Sequence, residues 1–118
     1  MMNKRGVGTK KEDEAAKFLT RCGLKVTDLN FRSRFGEIDI VARDDDYVVF
    51  VEVKYRKTSS AGHPEEAVDV RKAQKISKVA DYYRVVRKLP YDAKIRFDVV
   101  AIEGSEVRWY KNAFTYMN

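Results

Sequence analysis

Asp39, Glu52 and Lys54 are the residues of this chain whose types and spacing point to chemistry: Asp, twelve residues, Glu, one residue, Lys. Carboxylates that converge without histidine or cysteine bind hard cations through oxygen. Magnesium fits best, with manganese as its close substitute, because it accepts one or two protein carboxylates and fills its other positions with water and phosphate oxygens. An ion held there would acidify a bound water, polarise a phosphoryl group and orient both. The Lys54 ammonium beside it would stabilise charge on phosphorus or position the attacking water. Two carboxylates at close quarters are costly unless a cation neutralises them, and that cost is the physical argument for a metal. The competing reading is a surface patch in which Lys54 pairs with Glu37 across two strands while Asp39 and Glu52 are solvated at a sheet end.

The elements that must position these residues are two strands, Glu37–Arg43 and Tyr47–Tyr55, joined by an acidic turn at Asp44, Asp45 and Asp46. With Arg43 facing Val48, Asp39 falls opposite Glu52, and Glu37 opposite Lys54. Alternation puts all four on one face, along with Val41, Val48 and Phe50. The other face carries Ile38, Ile40 and Ala42 against Val53, Val51 and Val49. A slip of one residue would place Asp39 and Glu52 on opposite faces.

Before this ribbon, residues 1–9 are expected to form a mobile basic arm, followed by a helix over Lys10–Cys22. Ala15, Ala16, Phe18, Leu19 and Cys22 make its apolar stripe, with Cys22 expected as a small buried residue. Glu12 sits at the inward edge of that stripe. Gly23 stops the helix, and Leu24–Phe31 reads as a strand. Arg32, Ser33 and Arg34 turn into the ribbon, either as a solvated turn or as a phosphate clamp, since arginine forks match phosphate oxygens.

After the ribbon comes a basic, small-residue loop, Tyr55–Pro64, expected to be mobile, with the one histidine, His63. A second helix is expected from Asp69, its N-cap, to Arg87. Ala73, Ile76, Val79, Ala80, Tyr83 and Val86 form its buried stripe. Arg71, Lys72, Lys75 and Lys78 occupy the remainder, as a solvated face or one turned toward nucleic acid. Strands follow at Lys94–Ile102 and from Glu106 to Tyr110 or slightly beyond. A strand–helix–strand crossover of this length makes a parallel pair, so the third and fourth strands should be parallel within an otherwise antiparallel sheet.

The 118 residues suit one domain with a sizeable core. The net charge of +6 points to an anionic partner, with nucleic acid first. Residues 1–58 carry 13 basic and 10 acidic side chains and residues 59–118 carry 11 and 8, so each half is +3 and no basic tail accounts for the balance. A single cysteine excludes an intramolecular disulfide and a cysteine zinc cluster. No apolar run approaches membrane-spanning length and no signal-peptide core is evident, so no membrane partner is expected and cytoplasmic location is the default.

Asp39, Glu52 and Lys54 also match the signature of the PD-(D/E)xK nuclease superfamily, with Ile38 at the proline position. The run GEIDIVARDDDYVVFVEVKYR, Glu12 before AAKFL, PEEAV at Pro64–Val68 and RFDVVAI at Arg96–Ile102 resemble the YraN family, an uncharacterised bacterial family with a Holliday-junction-resolvase-like fold. The resemblance runs from about Glu12 to Tyr110. It implies an α/β (α+β) fold, a restriction-endonuclease-like mixed five-stranded sheet in the order α-β-β-β-α-β-β flanked by helices. It implies a helix glutamate at Glu12, metal-binding acids at Asp39 and Glu52, and the motif lysine at Lys54. Asp98 recurs in the family motif, with either a functional or a structural role. The activity implied is magnesium- or manganese-dependent cleavage of DNA, branched or otherwise structured, with Arg32, Arg34, Lys57, Arg71, Lys72 and Lys75 tracking phosphates. Resolvases of this kind are dimeric, so a homodimer is implied. The alternative is a nucleic-acid-binding protein that keeps the nuclease fold without efficient turnover.

Overall fold

A computed structural model describes residues 7–56 and 68–118, with side chains from residue 10 onward. The elements are α1 (Val7–Arg21), β1 (Lys25–Ser33), β2 (Gly36–Asp44), β3 (Tyr47–Arg56), α2 (Val70–Val86), β4 (Lys94–Glu103) and β5 (Glu106–Phe114). The strands form one five-stranded sheet in sequence order. Only β3 and β4 are parallel; the other neighbours are antiparallel. The expected architecture and the parallel pair are therefore observed.

Each helix covers one face of the sheet because β3 is apolar on both sides. Val49 and Val51 point toward α1, where Ala15 and Leu19 pack with Ile40, Ala42, Val100 and Ile102. Val48 and Phe50 point toward α2, where Ile76, Val79, Ala80 and Tyr83 pack with Val41 and Phe97. On the α2 side the aromatic rings form a chain: Tyr83 to Phe50 at 5.5 Å, Phe50 to Phe97 at 5.5 Å and Phe97 to Phe114 at 5.1 Å. Such pairs contribute about 0.5–1.5 kcal/mol each beyond their burial. The Asp69 carboxylate accepts a hydrogen bond from the Lys72 N–H and caps α2, as its position before the apolar stripe requires.

Several local expectations change. The helix α1 starts at Val7, so residues 7–9 belong to it and are no arm. Cys22 is exposed, because the chain leaves the helix before its stripe comes round again. Val86 is 41% exposed at the last turn of α2 and contributes no core. Arg32 and Ser33 still belong to β1, and the turn is formed by Arg34 and Phe35. The segment 57–67, which includes Lys57, His63 and most of the PEEAV run, lies outside the described residues, as do residues 1–6. Among the described residues no helix is long and apolar enough to cross a membrane.

The change with most consequence is at Ile38. Alternation predicts it beside Ile40, yet it packs with the α2 cluster while Ile40 packs with the α1 cluster. Two strands change phase together here. In the β1–β2 ladder Leu29 pairs with Ile40 and Phe31 with Ile38, so Asn30 stands opposite Asp39. Asn30 has φ 54°, a left-handed conformation that asparagine tolerates, and it rotates the strand between its neighbours. Asp39 consequently lies at the seam between the two faces of the sheet.

Candidate active site

The register between β2 and β3 agrees with the sequence as far as it runs: Arg43 pairs with Val48 and Ile40 with Val51. There the main-chain ladder stops. The Asp39 carboxylate accepts the next hydrogen bond instead, from the Val53 N–H at 2.8 Å. Past this point the strands part, and Glu37 does not meet Lys54. Glu37 accepts from Arg32 at 3.1 Å, while the Lys54 ammonium lies 3.4 Å from Glu52. Nor is Glu52 solvated: it is 8% exposed. The surface patch that pairs Lys54 with Glu37 is thereby excluded.

Because Asp39 sits at the seam, it is reached from both sides. From the α1 side comes Glu12. Ligand oxygens of Glu12, Glu37 and Asp39 all lie within 4.8 Å of one another. Oε1 of Glu12 is buried and has no hydrogen-bond partner. Burial, the charge of Glu52, and the charges of Glu12 and Glu37 push the Asp39 carboxyl up to about 8, against the stabilising Val53 N–H. An acidic trio of this kind, with one orphaned oxygen and only the exposed Arg32 paired to one of its members, fits a hard cation. Magnesium–oxygen distances of about 2.0–2.1 Å place ligand pairs roughly 3–4 Å apart, so the three oxygens need only a small inward adjustment.

On the α2 side Asp39, Glu37 and Glu52 form one wall of a groove of about 530 Å³, and Arg71, Lys72 and Lys75 line it from the helix. Glu52 is neutralised within it. Lys72 Nζ lies 2.6 Å from its carboxylate and Lys54 Nζ at 3.4 Å. Burial and the neighbouring Lys72 charge hold the Lys54 ammonium below its usual range, against the pull of Glu52. Lys72 is the opposite case: burial works against its charge, but the Glu52 contact outweighs it and its pKa is raised.

Of the residues singled out in the sequence, the structure thus brings together Glu12 and Asp39, with Glu52 and Lys54 adjoining them. Glu52 is absent from the oxygen trio, and Glu37 takes that place. The hairpin register alone had set Glu37 against Lys54; its signal was its position two residues before Asp39. Arg71 and Lys75 face the groove. Arg32 is spent on Glu37, and Arg34 lies over the Phe35 ring at 5.1 Å. Asp98 is structural. It is fully buried and accepts from Arg96, the Trp109 indole and the Asn112 N–H, each at 2.9 Å.

Comparison with known proteins agrees with this chain-wide pattern. Residues 11–102 match the profile of the uncharacterised protein family UPF0102. A UPF0102 protein of Lachnoclostridium phytofermentans is 49% identical over 113 residues, covering 96% of each chain. One from Fusobacterium nucleatum is 44% identical, covering 94% of this chain and 92% of its own, and one from Persephonella marina is 40% identical, covering 91% of both. These relatives match the chain over nearly its whole length, and the protein belongs to the uncharacterised family UPF0102, the YraN family whose motifs it carries.

Proposed function

We propose that this protein is a divalent-metal-dependent endonuclease of the PD-(D/E)xK type that hydrolyses phosphodiester bonds in branched or otherwise structured DNA. The observation that carries the reading is the meeting of Glu12, Glu37 and Asp39 within 4.8 Å, at a groove walled on its far side by Arg71, Lys72 and Lys75. Acids on one wall and cations on the other match a phosphodiester held between a metal and its own backbone charges. Glu12, Asp39 and Glu37 would hold magnesium or manganese, which when bound supplies an acidified water and a polarised phosphoryl group. Arg71 and Lys75 would hold flanking phosphates, a salt-sensitive and sequence-independent mode. Lys54, its ammonium destabilised by burial, is suited to protonate or stabilise an oxygen that gains charge. Cleavage of both strands of a junction would take a homodimer, and cytoplasmic location belongs to the same reading.

A second reading, nucleic-acid binding without turnover, draws on the Glu52 contacts. Two ammoniums already neutralise this carboxylate, so its end of the groove offers a cation little attraction. Magnesium-dependent nicking of a four-way junction and of plain duplex separates the readings. Wild-type protein should nick, and Asp39→Ala and Lys54→Ala should not. Equal nicking by wild type and both variants would sink the site assignment. Binding without nicking in any divalent metal would favour the second reading.

A further inference from the structure

Phe35 stands at the tip of the β1–β2 turn, and its ring is shared by two grooves. One is the charged groove that holds Asp39 and Glu52. The other, of about 330 Å³, is lined by Phe35, Lys78, Asp81, Tyr82 and Val85. Phe35 is 38% exposed, Tyr82 45% and Val85 75%. Apolar side chains left this open in a small domain call for an occupant. Two features say which kind. Cations lie against the aromatic surface: Arg34 Cζ is 5.1 Å and Lys78 Nζ 6.0 Å from the Phe35 ring centroid. The single acid in the groove, Asp81, accepts from the Tyr116 hydroxyl at 2.7 Å. Asp81 offers an acceptor to a flat ring that carries N–H donors, and the two cations offer partners to the phosphates beside such a ring.

We propose that this second groove is a stacking site for an unpaired nucleobase of single-stranded nucleic acid, with Phe35 as its platform and Tyr82 as its second aromatic face. Arg34 and Lys78 hold the phosphates on either side of that base. The inference rests on the nucleic-acid reading above and adds a substrate class to it: strands with unpaired bases beside the cleavage groove. A base on Phe35 places its neighbouring phosphate in the charged groove, because the same ring closes both. Bases inside a duplex are stacked on each other and cannot reach a platform at a groove lip, whereas single strands stack readily on aromatic side chains.

The test is metal-free binding, in EDTA, of the full-length protein to a fluorescein-labelled 12-nucleotide single strand and to the same sequence as duplex, read by fluorescence anisotropy. Wild type should prefer the single strand. Phe35→Ala and Phe35→Leu should each weaken single-strand binding roughly tenfold, the scale of one lost stacked base, and weaken duplex binding clearly less. Phe35→Trp should restore it. Leu keeps the apolar area without the π face, so it separates stacking from general packing, and thermal melts confirm that each variant is folded. Single-strand affinity unchanged in both Phe35→Ala and Phe35→Leu overturns the inference and leaves the endonuclease reading standing. So does a wild type that binds only duplex. A wild type that binds neither overturns both. A dimer that dissociates on Phe35→Ala with no change in single-strand affinity also overturns it, by showing that a second copy covers this face.

Discussion

The Lys72 ammonium of α2 lies 2.6 Å from the carboxylate of Glu52 on β3. Read from the sequence, Lys72 belongs to a row of cations facing outward. In the structure it reaches across the groove and ties the basic helix to the acidic strand end. Among the described residues it is the salt bridge that joins the two walls of the groove. We expect Lys72→Met to leave the 8%-exposed Glu52 with Lys54 alone at 3.4 Å. Lys72 is itself 40% exposed, so the loss is smaller than for a fully buried pair, about 1–2 kcal/mol by urea denaturation. Glu52→Gln combined with Lys72→Met should cost less than the sum of the two single changes.

Metal binding should follow the geometric trio more closely than the sequence motif. Manganese titration monitored by electron paramagnetic resonance should show Glu12→Gln, Glu37→Gln and Asp39→Asn each weakening the ion at least about tenfold. Glu52→Gln, at a carboxylate whose Oε2 is already shared by two ammoniums, should weaken it less than Glu37→Gln does. The reverse order would return Glu52 to the ligand set in place of Glu37.

Asp39 makes stability depend on pH with a definite sign. Its ordinary value is 3.8 and the fold pushes it up to about 8. The folded protein therefore keeps a proton that the unfolded chain releases. The stability this provides is complete below about pH 4 and is lost as pH rises through about 8. In EDTA, the melting temperature of Asp39→Asn should gain on wild type steadily from pH 4 to pH 8. A constant difference across that range would show that Asp39 is not proton-linked to folding. Manganese, which needs the carboxylate ionised, should bind more tightly as pH rises over the same interval.

Asp98 should behave as a structural residue. Replacing it by alanine strands the Trp109 indole N–H and the Asn112 N–H beside a fully buried position and leaves the Arg96 guanidinium with Asp44 alone. Breaking such a network costs about 3–5 kcal/mol. Asp98→Ala should therefore lose most of its folded population near 37 °C, whereas Lys54→Ala should keep a wild-type circular dichroism spectrum. Equal melting temperatures for the two variants would contradict this division.

The sequence by itself determined the element order, the hairpin register around Asp45 and Asp46, the parallel β3–β4 pair, the N-cap at Asp69 and the stripes of both helices apart from Cys22 and Val86 at their ends. These follow from local rules: side-chain period, turn chemistry and the length of a crossover. It also marked Glu12, Asp39, Glu52 and Lys54. Only the tertiary structure decided how those residues stand to one another. A left-handed Asn30 opposite Asp39 shifts two strands in phase, turns Ile38 to the other face and sets Asp39 at the seam where α1 and α2 can both reach it. Alternation along one ribbon cannot anticipate that shift, because its cause lies on a neighbouring strand. The same holds for Lys72, whose partner Glu52 is twenty residues away in sequence and across the groove in space. Helical periodicity tells which face a lysine occupies. It does not tell what the sheet beneath presents to it.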